Sequence, residues 1–451
     1  MKKTKDLTTF SVGARDMSPY LVGLTMAASI ASTATFVINP GFVYVHGLSA
    51  YLHYGVAAFL GIAVALISLT AGFRRQGAQY GALTIPHWIF AHYGSRALAT
   101  FYAVVNLLSL TFVVLILVGC ALLAHTLFDV SYHACLTVIL LFVFSYVLMG
   151  GTYAHAYTNA FQAVMMLVIS CVLFFSGWEH LVGGFGDRLV AVSQDYAAVF
   201  NPSSNLYYDF MSVFLSSTIV TAALMVQPHI LTKTLYLKGD GDVRRFLSTA
   251  LVAGLIFTGV LFVGFWARLD GLEVVAQDKV VSQYVNMTFQ SAMMGSFMRA
   301  LIAVALLAAG MSTLDGILVA LSSMIVNDLY LPLVGSSQAD RGLKLSRYVL
   351  VGVGLVAFAL AWNPPKLVGL FAQTGVYGLV VATAVPIGVG VFYRHKVPAW
   401  LMGLSAVIGL CTHFGLMHWG GVANPSVSAT YALGLCVLVT SLILMGLRAR
   451  S

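Results

Sequence analysis

The chain has 451 residues, 60% of them hydrophobic and only 8% charged, with a formal net charge of +8. Soluble globules carry roughly 25% charged residues, so this composition excludes an ordinary soluble fold and describes an integral membrane protein. The basic residues are scattered among short connections between apolar stretches, which excludes a nucleic-acid surface and leaves membrane topology to explain the charge.

A helical span needs about 20 predominantly apolar residues. Stretches of that kind cover 18–46, 49–72, 97–126, 132–150, 155–178, 207–228, 245–267, 296–326, 343–363, 366–393, 398–418 and 428–447, numbered here as spans 1 to 12. Short connections imply one transmembrane domain over 1–451. The basic start Met1-Lys2-Lys3 precedes an apolar stretch too long for a signal peptide, so span 1 is read as retained. With a cytoplasmic N-terminus, only Arg188, Arg268, Lys279, Arg299 and Lys366 of the 23 Lys and Arg fall outside. The other eighteen, Lys233 among them, fall in inside loops, which predicts a multi-pass protein of the plasma (or inner) membrane with both termini cytoplasmic. On this reading no Lys or Arg lies at bilayer depth.

Span 1 contains Ser29, Ser32, Thr33 and Thr35, then Asn39-Pro40-Gly41. Short hydroxyl side chains can satisfy backbone groups freed from a helix, so an unwound stretch between Ala28 and Thr33 is expected. Span 6 holds Ser216, Ser217, Thr218 and Thr221 and ends at Gln227-Pro228-His229-Ile230. Interrupted helices at matching places in two halves predict an inverted repeat with a midplane site, the repeats covering about 18–178 and 207–393, with extra helices at about 398–447. In span 8, Ala309, Ser312 and Thr313 stand at i, i+3 and i+4, placing one carbonyl and two hydroxyls on one stripe, a donor set for a small hard cation. Asp315 lies roughly 110° around the helix from that stripe and is read as a gate, a proton carrier or a partner of a neighbouring hydroxyl. The cysteines Cys120, Cys135, Cys171, Cys411 and Cys436 read as buried reduced thiols. His413 and His418 read as interface histidines, and no nucleophile stands with a base and an orienter, so no enzyme is expected.

Four stretches carry a resemblance. They are Thr84-Ile85-Pro86 leading to Tyr93-Gly94-Ser95-Arg96; Gly150-Gly151 followed by Tyr157-Thr158-Asn159-Ala160-Phe161-Gln162; Gln227-Pro228-His229-Ile230; and Met311-Ser312-Thr313 through Asn327-Asp328-Leu329-Tyr330. In this order the chain resembles the sodium:solute symporters, which carry sugars, proline, pantothenate and monocarboxylates. The resemblance implies an all-α membrane protein of the leucine-transporter type, with about 12 transmembrane helices, a 5+5 inverted repeat with broken helices 1 and 6, and two C-terminal helices. Members of the family usually begin one helix earlier.

It implies a sodium site made by the carbonyls of Ala28, Ala31 and Ala309 with the hydroxyls of Ser312 and Thr313, Na+ being the coupling ion. Where many members have acids, this chain has Ile30 and Asn159, so one sodium per solute is expected. The substrate pocket is expected between spans 1, 3, 6 and 10, with Ser32, Thr33, Asn106, Thr221, Leu224, Gln373 and Thr374 as candidates. Val220 and Leu224 stand where relatives place aromatics, giving an apolar wall. The expected function is sodium-driven import of a small organic solute, with the bilayer as surroundings and no obligate protein partner. A proton-coupled transporter and a membrane sensor keeping the same fold are the alternatives.

Overall fold

The computed structural model describes residues 10–11, 16–274, 276–290, 294–334, 339–393 and 395–449. These residues are helical apart from connecting turns and an isolated bridge between Met17 and Leu237. Nine helices among them are long and apolar enough to cross a membrane, and two pairs of helices bent at a short break would each add one. Tyr132–Leu148 is a shorter apolar helix. Large side chains such as Val64, Phe142, Phe161 and Val252 are exposed on the outer helix faces, as an acyl-chain surrounding requires.

Span 1 is α-helical over Pro19–Ile30 and stops at Ala31, whose ψ of 79° lies outside the helical region. Ser32 donates its N–H to Ile30 O, only two residues back, and its Oγ accepts from Ala34 N at 3.2 Å, starting the next helix as a cap does. A π-helical turn over Ala34–Ile38 then leads into Asn39–His46, where Pro40 sits in the first turn and needs no N–H partner. The two halves meet at 52°. The break therefore lies at Ala31–Thr33, three residues later than the start expected from the hydroxyl run.

Span 6 breaks for a different reason. Pro228 cannot donate and pushes Gln227 to an extended ψ of 142°, so Met211–Leu224 and Pro228–Tyr236 meet at 63°. The span thus continues to Tyr236 rather than ending at Pro228. Lys233, expected in an inside loop, is only 1% exposed within this second half.

Between Tyr132 and Phe175 the backbone stays helical, yet both ends return to one side of the molecule. Ser176 Oγ bonds Tyr284 Oη at 2.9 Å, and two residues on Asn286 donates to Thr126 O, close to Tyr132. The two ends of this stretch therefore lie near each other; the side chains of the Gly150-Gly151 motif lie outside the described residues.

Burial sorts the spans by position. Span 8, Met294–Met324 continued by a π-turn to Tyr330, has 83% of its apolar window buried, against 72% for span 10 (Val368–Phe392) and 67% for span 3 (Arg96–Phe128). Every other unbroken membrane-length helix has 44% or less. Span 8 is thus the interior post against which the broken helices rest. Contact there is tight: a Cβ at Gly310 would fall 2.2 Å from Cys120 Sγ and 2.4 Å from Thr33 Oγ1. Cys120, Cys135 and Cys436 are buried, but Cys171 and Cys411 are exposed on outward helix faces, correcting their reading as buried thiols.

Candidate functional site

Ending the helix at Ile30 leaves carbonyls without their usual partners. Ala28 O would accept from Ser32 N in a continuous helix, but Ser32 N is turned to Ile30 O. Span 8 supplies the missing partners. Ser312 Oγ donates to Ala28 O at 2.9 Å and lies 2.8 Å from Ala309 O; Thr313 Oγ1 reaches Ser29 O at 3.1 Å and Ala28 O at 3.5 Å. Of the five residues expected to hold sodium, Ala28, Ala309, Ser312 and Thr313 meet here through these contacts. Ala31 stands at the break itself, with its N–H on Ala27 O, and its carbonyl makes none of these contacts. Ser29 O joins instead, which the hydroxyl pattern concealed because Ser29 drew notice for its side chain.

All these groups are neutral oxygen donors, and Ser312, Thr313, Ala28 and Ala309 are fully buried. Among the described residues no group of three or more His, Cys, Asp or Glu could hold a metal ion. A hard monovalent cation suits carbonyl and hydroxyl oxygens, whereas zinc or a transition metal favours imidazole and thiolate. The donor set thus fits sodium. Asp315 is engaged elsewhere: its Oδ1 lies 2.8 Å from His155 Nδ1 and its Oδ2 accepts from Tyr146 Oη at 3.2 Å.

Beside this junction lies a cavity of about 160 Å³ enclosed by spans 1, 2, 6, 7 and 10, with Phe112 from span 3. Ser32, Thr221, Leu224 and Gln373 line it, and no Asp, Glu, Lys or Arg does. Three expected residues point elsewhere. Thr33 Oγ1 packs on Cys120 Sγ at 3.5 Å, and Thr374 donates its hydroxyl back to Leu370 O. Asn106 is buried on a 3₁₀ turn of span 3, its amide without a partner among the described residues. Val220 likewise packs with Val376 and Val380 rather than on the cavity.

Sequence reading missed the aromatic mouth. A π-helical turn over Leu52–Ala57 brings His53 and Tyr54 to the cavity wall. Tyr54 Oη accepts from Tyr207 Oη at 2.9 Å and from Gln373 Nε2 at 3.1 Å, and Phe42 and His46 pack on these rings. His53 Nδ1 meets Ser212 O at 2.8 Å, tying span 2 to the start of span 6. His413, expected at the interface, is fully buried and joins Thr374 O at 3.0 Å and Ser428 Oγ at 3.0 Å. Outside the spans, Asp278 is 8% exposed and faces the start of span 10, hydrogen-bonded to the Val368 backbone; burial pushes its carboxyl up to about 6.

The sequence profile of the sodium:solute symporter family matches residues 10–397. The chain is 26% identical over 433 residues to the sodium/pantothenate symporter of Haemophilus influenzae, covering 93% of this chain and 87% of that one. It is also 26% identical over 381 residues to the high-affinity proline transporter of Bacillus subtilis, with 80% and 76% covered. Among solved structures, a substrate-bound outward-open Na+-coupled sialic acid symporter superposes with a TM-score of 0.76 at 15% identity, covering 98% of this chain and 93% of that one. A nucleobase-cation-symport-1 transporter in a closed conformation gives 0.57 at 13% identity, with 98% and 94% covered. These two likenesses bear out the expected leucine-transporter-type architecture.

Proposed function

Because this chain belongs to the sodium:solute symporter family, we propose that it imports a small organic solute by alternating access, with one sodium ion moved per solute. The family consists of transporters, not enzymes. The observation that carries the proposal is the meeting of Ser312 and Thr313 with the carbonyls freed at the break of span 1. Sodium sits there, held by Ala28, Ala309, Ser312 and Thr313, with Ala31 closing the shell when the broken segment turns towards the ion.

The solute sits in the adjoining cavity against Ser32, Thr221, Leu224 and Gln373. Its size and its lack of charged side chains favour a monocarboxylate, amino acid, vitamin or similar compound, whose charge would be met by hydroxyls and the free backbone of the break. Pantothenate and proline, carried by the relatives above, are the first candidates. Twelve spans in two inverted repeats, both termini cytoplasmic and a place in the plasma or inner membrane complete the reading. Energetically one ion suffices: a charge moved through 100 mV is worth about 2.3 kcal/mol. A tenfold gradient adds about 1.4 kcal/mol, so accumulation of several hundredfold is within reach for a neutral or zwitterionic solute, and about tenfold for a monoanion, whose charge cancels the electrical part.

The test is uptake of radiolabelled pantothenate and proline, within a wider panel of small carboxylates, into proteoliposomes under an inward sodium gradient. Accumulation that collapses when choline replaces sodium supports the proposal. Equal uptake in choline, or uptake driven by a proton gradient alone, refutes it.

A further inference from the structure

A second polar seam runs inward from the oxygen site. On span 5, His155 and Asn159 are one turn apart, and on span 8 Ser312 and Asp315 are three residues apart, so two rungs form between the helices. In one, Asn159 Nδ2 donates to Ser312 O at 2.6 Å and to Ser29 Oγ at 3.3 Å. In the other, His155 Nδ1 meets Asp315 Oδ1, with Tyr146 on the opposite carboxylate oxygen. Asp315 is fully buried.

The cation in this region comes from span 6. Lys233 is held by its Nζ donating to His229 O and lies within Coulombic reach of Asp315, although no direct ion pair forms. Gly316 marks the meeting point: a Cβ there would stand 3.6 Å from Lys233 Nζ and 2.9 Å from His155 Cε1. The same groups share a cavity of about 20 Å³, room for a water, into whose walls His155 and His229 are built. Among the described residues, the Nε2 atoms of both histidines and Asn159 Oδ1 have no partner. Such atoms call for a bound polar species.

A lone buried carboxylate is costly unless a positive charge compensates it. Sodium, held by the adjacent oxygens on the reading above, is one such charge, and the lysine is another. We propose that the Lys233 ammonium is a tethered cation occupying the role of a second sodium at Asp315. This inference rests on the sodium reading; it adds that a side chain, reaching from the second half of span 6, limits the ion count to one. Among the described residues one acid and one ammonium face this seam, with His155, His229 and Tyr146 around them, so removing the ammonium leaves the carboxylate to recruit an ion from solution.

The probe is sodium itself, counted as bound ²²Na⁺ per chain and titrated as sodium chloride against choline chloride in thermal unfolding of the purified protein. Wild type is expected to bind one ion with a Hill coefficient of about 1. Lys233→Met is expected to bind a second, with the coefficient rising towards about 2. Lys233→Met combined with Asp315→Asn should return to one. Two ions in wild type, or one in a folded Lys233→Met, overturns the assignment. If Lys233→Met accumulates as folded protein only when sodium, and not choline, is present throughout purification, the assignment stands; failure to fold regardless of sodium overturns it. No sodium bound by wild type refutes the sodium reading, and this assignment with it, a signature distinct from two ions in wild type.

Discussion

Replacing Ser312 with Ala separates the ion from the scaffold. The hydroxyl makes contacts of 2.9 Å to Ala28 O and 2.8 Å to Ala309 O. Losing a buried hydrogen bond costs about 0.5–1.5 kcal/mol, of which roughly 0.5 returns through the better helix propensity of Ala. Unfolding without sodium should therefore shift little. The same oxygen facing a cation is worth about 1.5–3 kcal/mol, so the sodium needed for half-maximal effect should rise about 10- to 150-fold. Thermal unfolding titrated with sodium, and sodium dependence of uptake once a solute is in hand, both measure it. Ser312→Thr keeps a hydroxyl and serves as the control. If Ser312→Ala and Ser312→Ala/Thr313→Ala respond to sodium as wild type does, the ion is bound elsewhere and the site assignment fails.

Gly310→Ala should lose about 1–3 kcal/mol by overpacking against Cys120 and Thr33, read as a lowered Tm; an unchanged Tm would show that spans 1 and 8 approach less closely than described. Asp278 binds its proton more tightly folded than unfolded, so stability should fall as pH rises from about 4 through about 6 and stay level above, by up to about 3 kcal/mol. Asp278→Asn should flatten that part of the pH–Tm curve and stabilise the protein at pH 7; a curve still sloping in the variant assigns the effect to another group. Ser32→Leu removes the hydroxyl that caps Ala34 and fills the cavity wall, so uptake should be lost while the folded fraction persists; wild-type uptake would exclude both roles. With one sodium per solute, reversal-potential measurements should give one charge for a zwitterion such as proline and none for a monocarboxylate; one charge more in either case would contradict the role given to Asn159.

The breaks were legible because their causes are local. Pro228 forbids a helical Gln227, and a run of small hydroxyls marks span 1. The exact point in span 1 was not, since it depends on Ser32 choosing Ala34 N as partner. Lys233 read as a loop cation because Thr232-Lys233-Thr234 is as polar as any connection. Only the packing of the second half of span 6 beside Gly316 makes it an interior group. His53 and Tyr54 escaped notice because a π-turn alters which side of span 2 faces inward, and no periodicity announces such a turn. Ser312 and Thr313 fall on the side of span 8 that their spacing required because they lie in an unbroken helix, where spacing fixes direction.

Two neutral hydrogen bonds, Tyr207 to Tyr54 and Gln373 to Tyr54, form a latch across the cavity wall. At about 0.5–1.5 kcal/mol each, they hold this latch by roughly 1–3 kcal/mol, a closed-to-open ratio between about 5 and about 150. A charged latch in so buried a place would hold far harder and would demand more than a single ion gradient delivers. On the one-ion reading proposed above, a latch of phenol and amide is weak enough for one bound ion and its solute to reverse the populations.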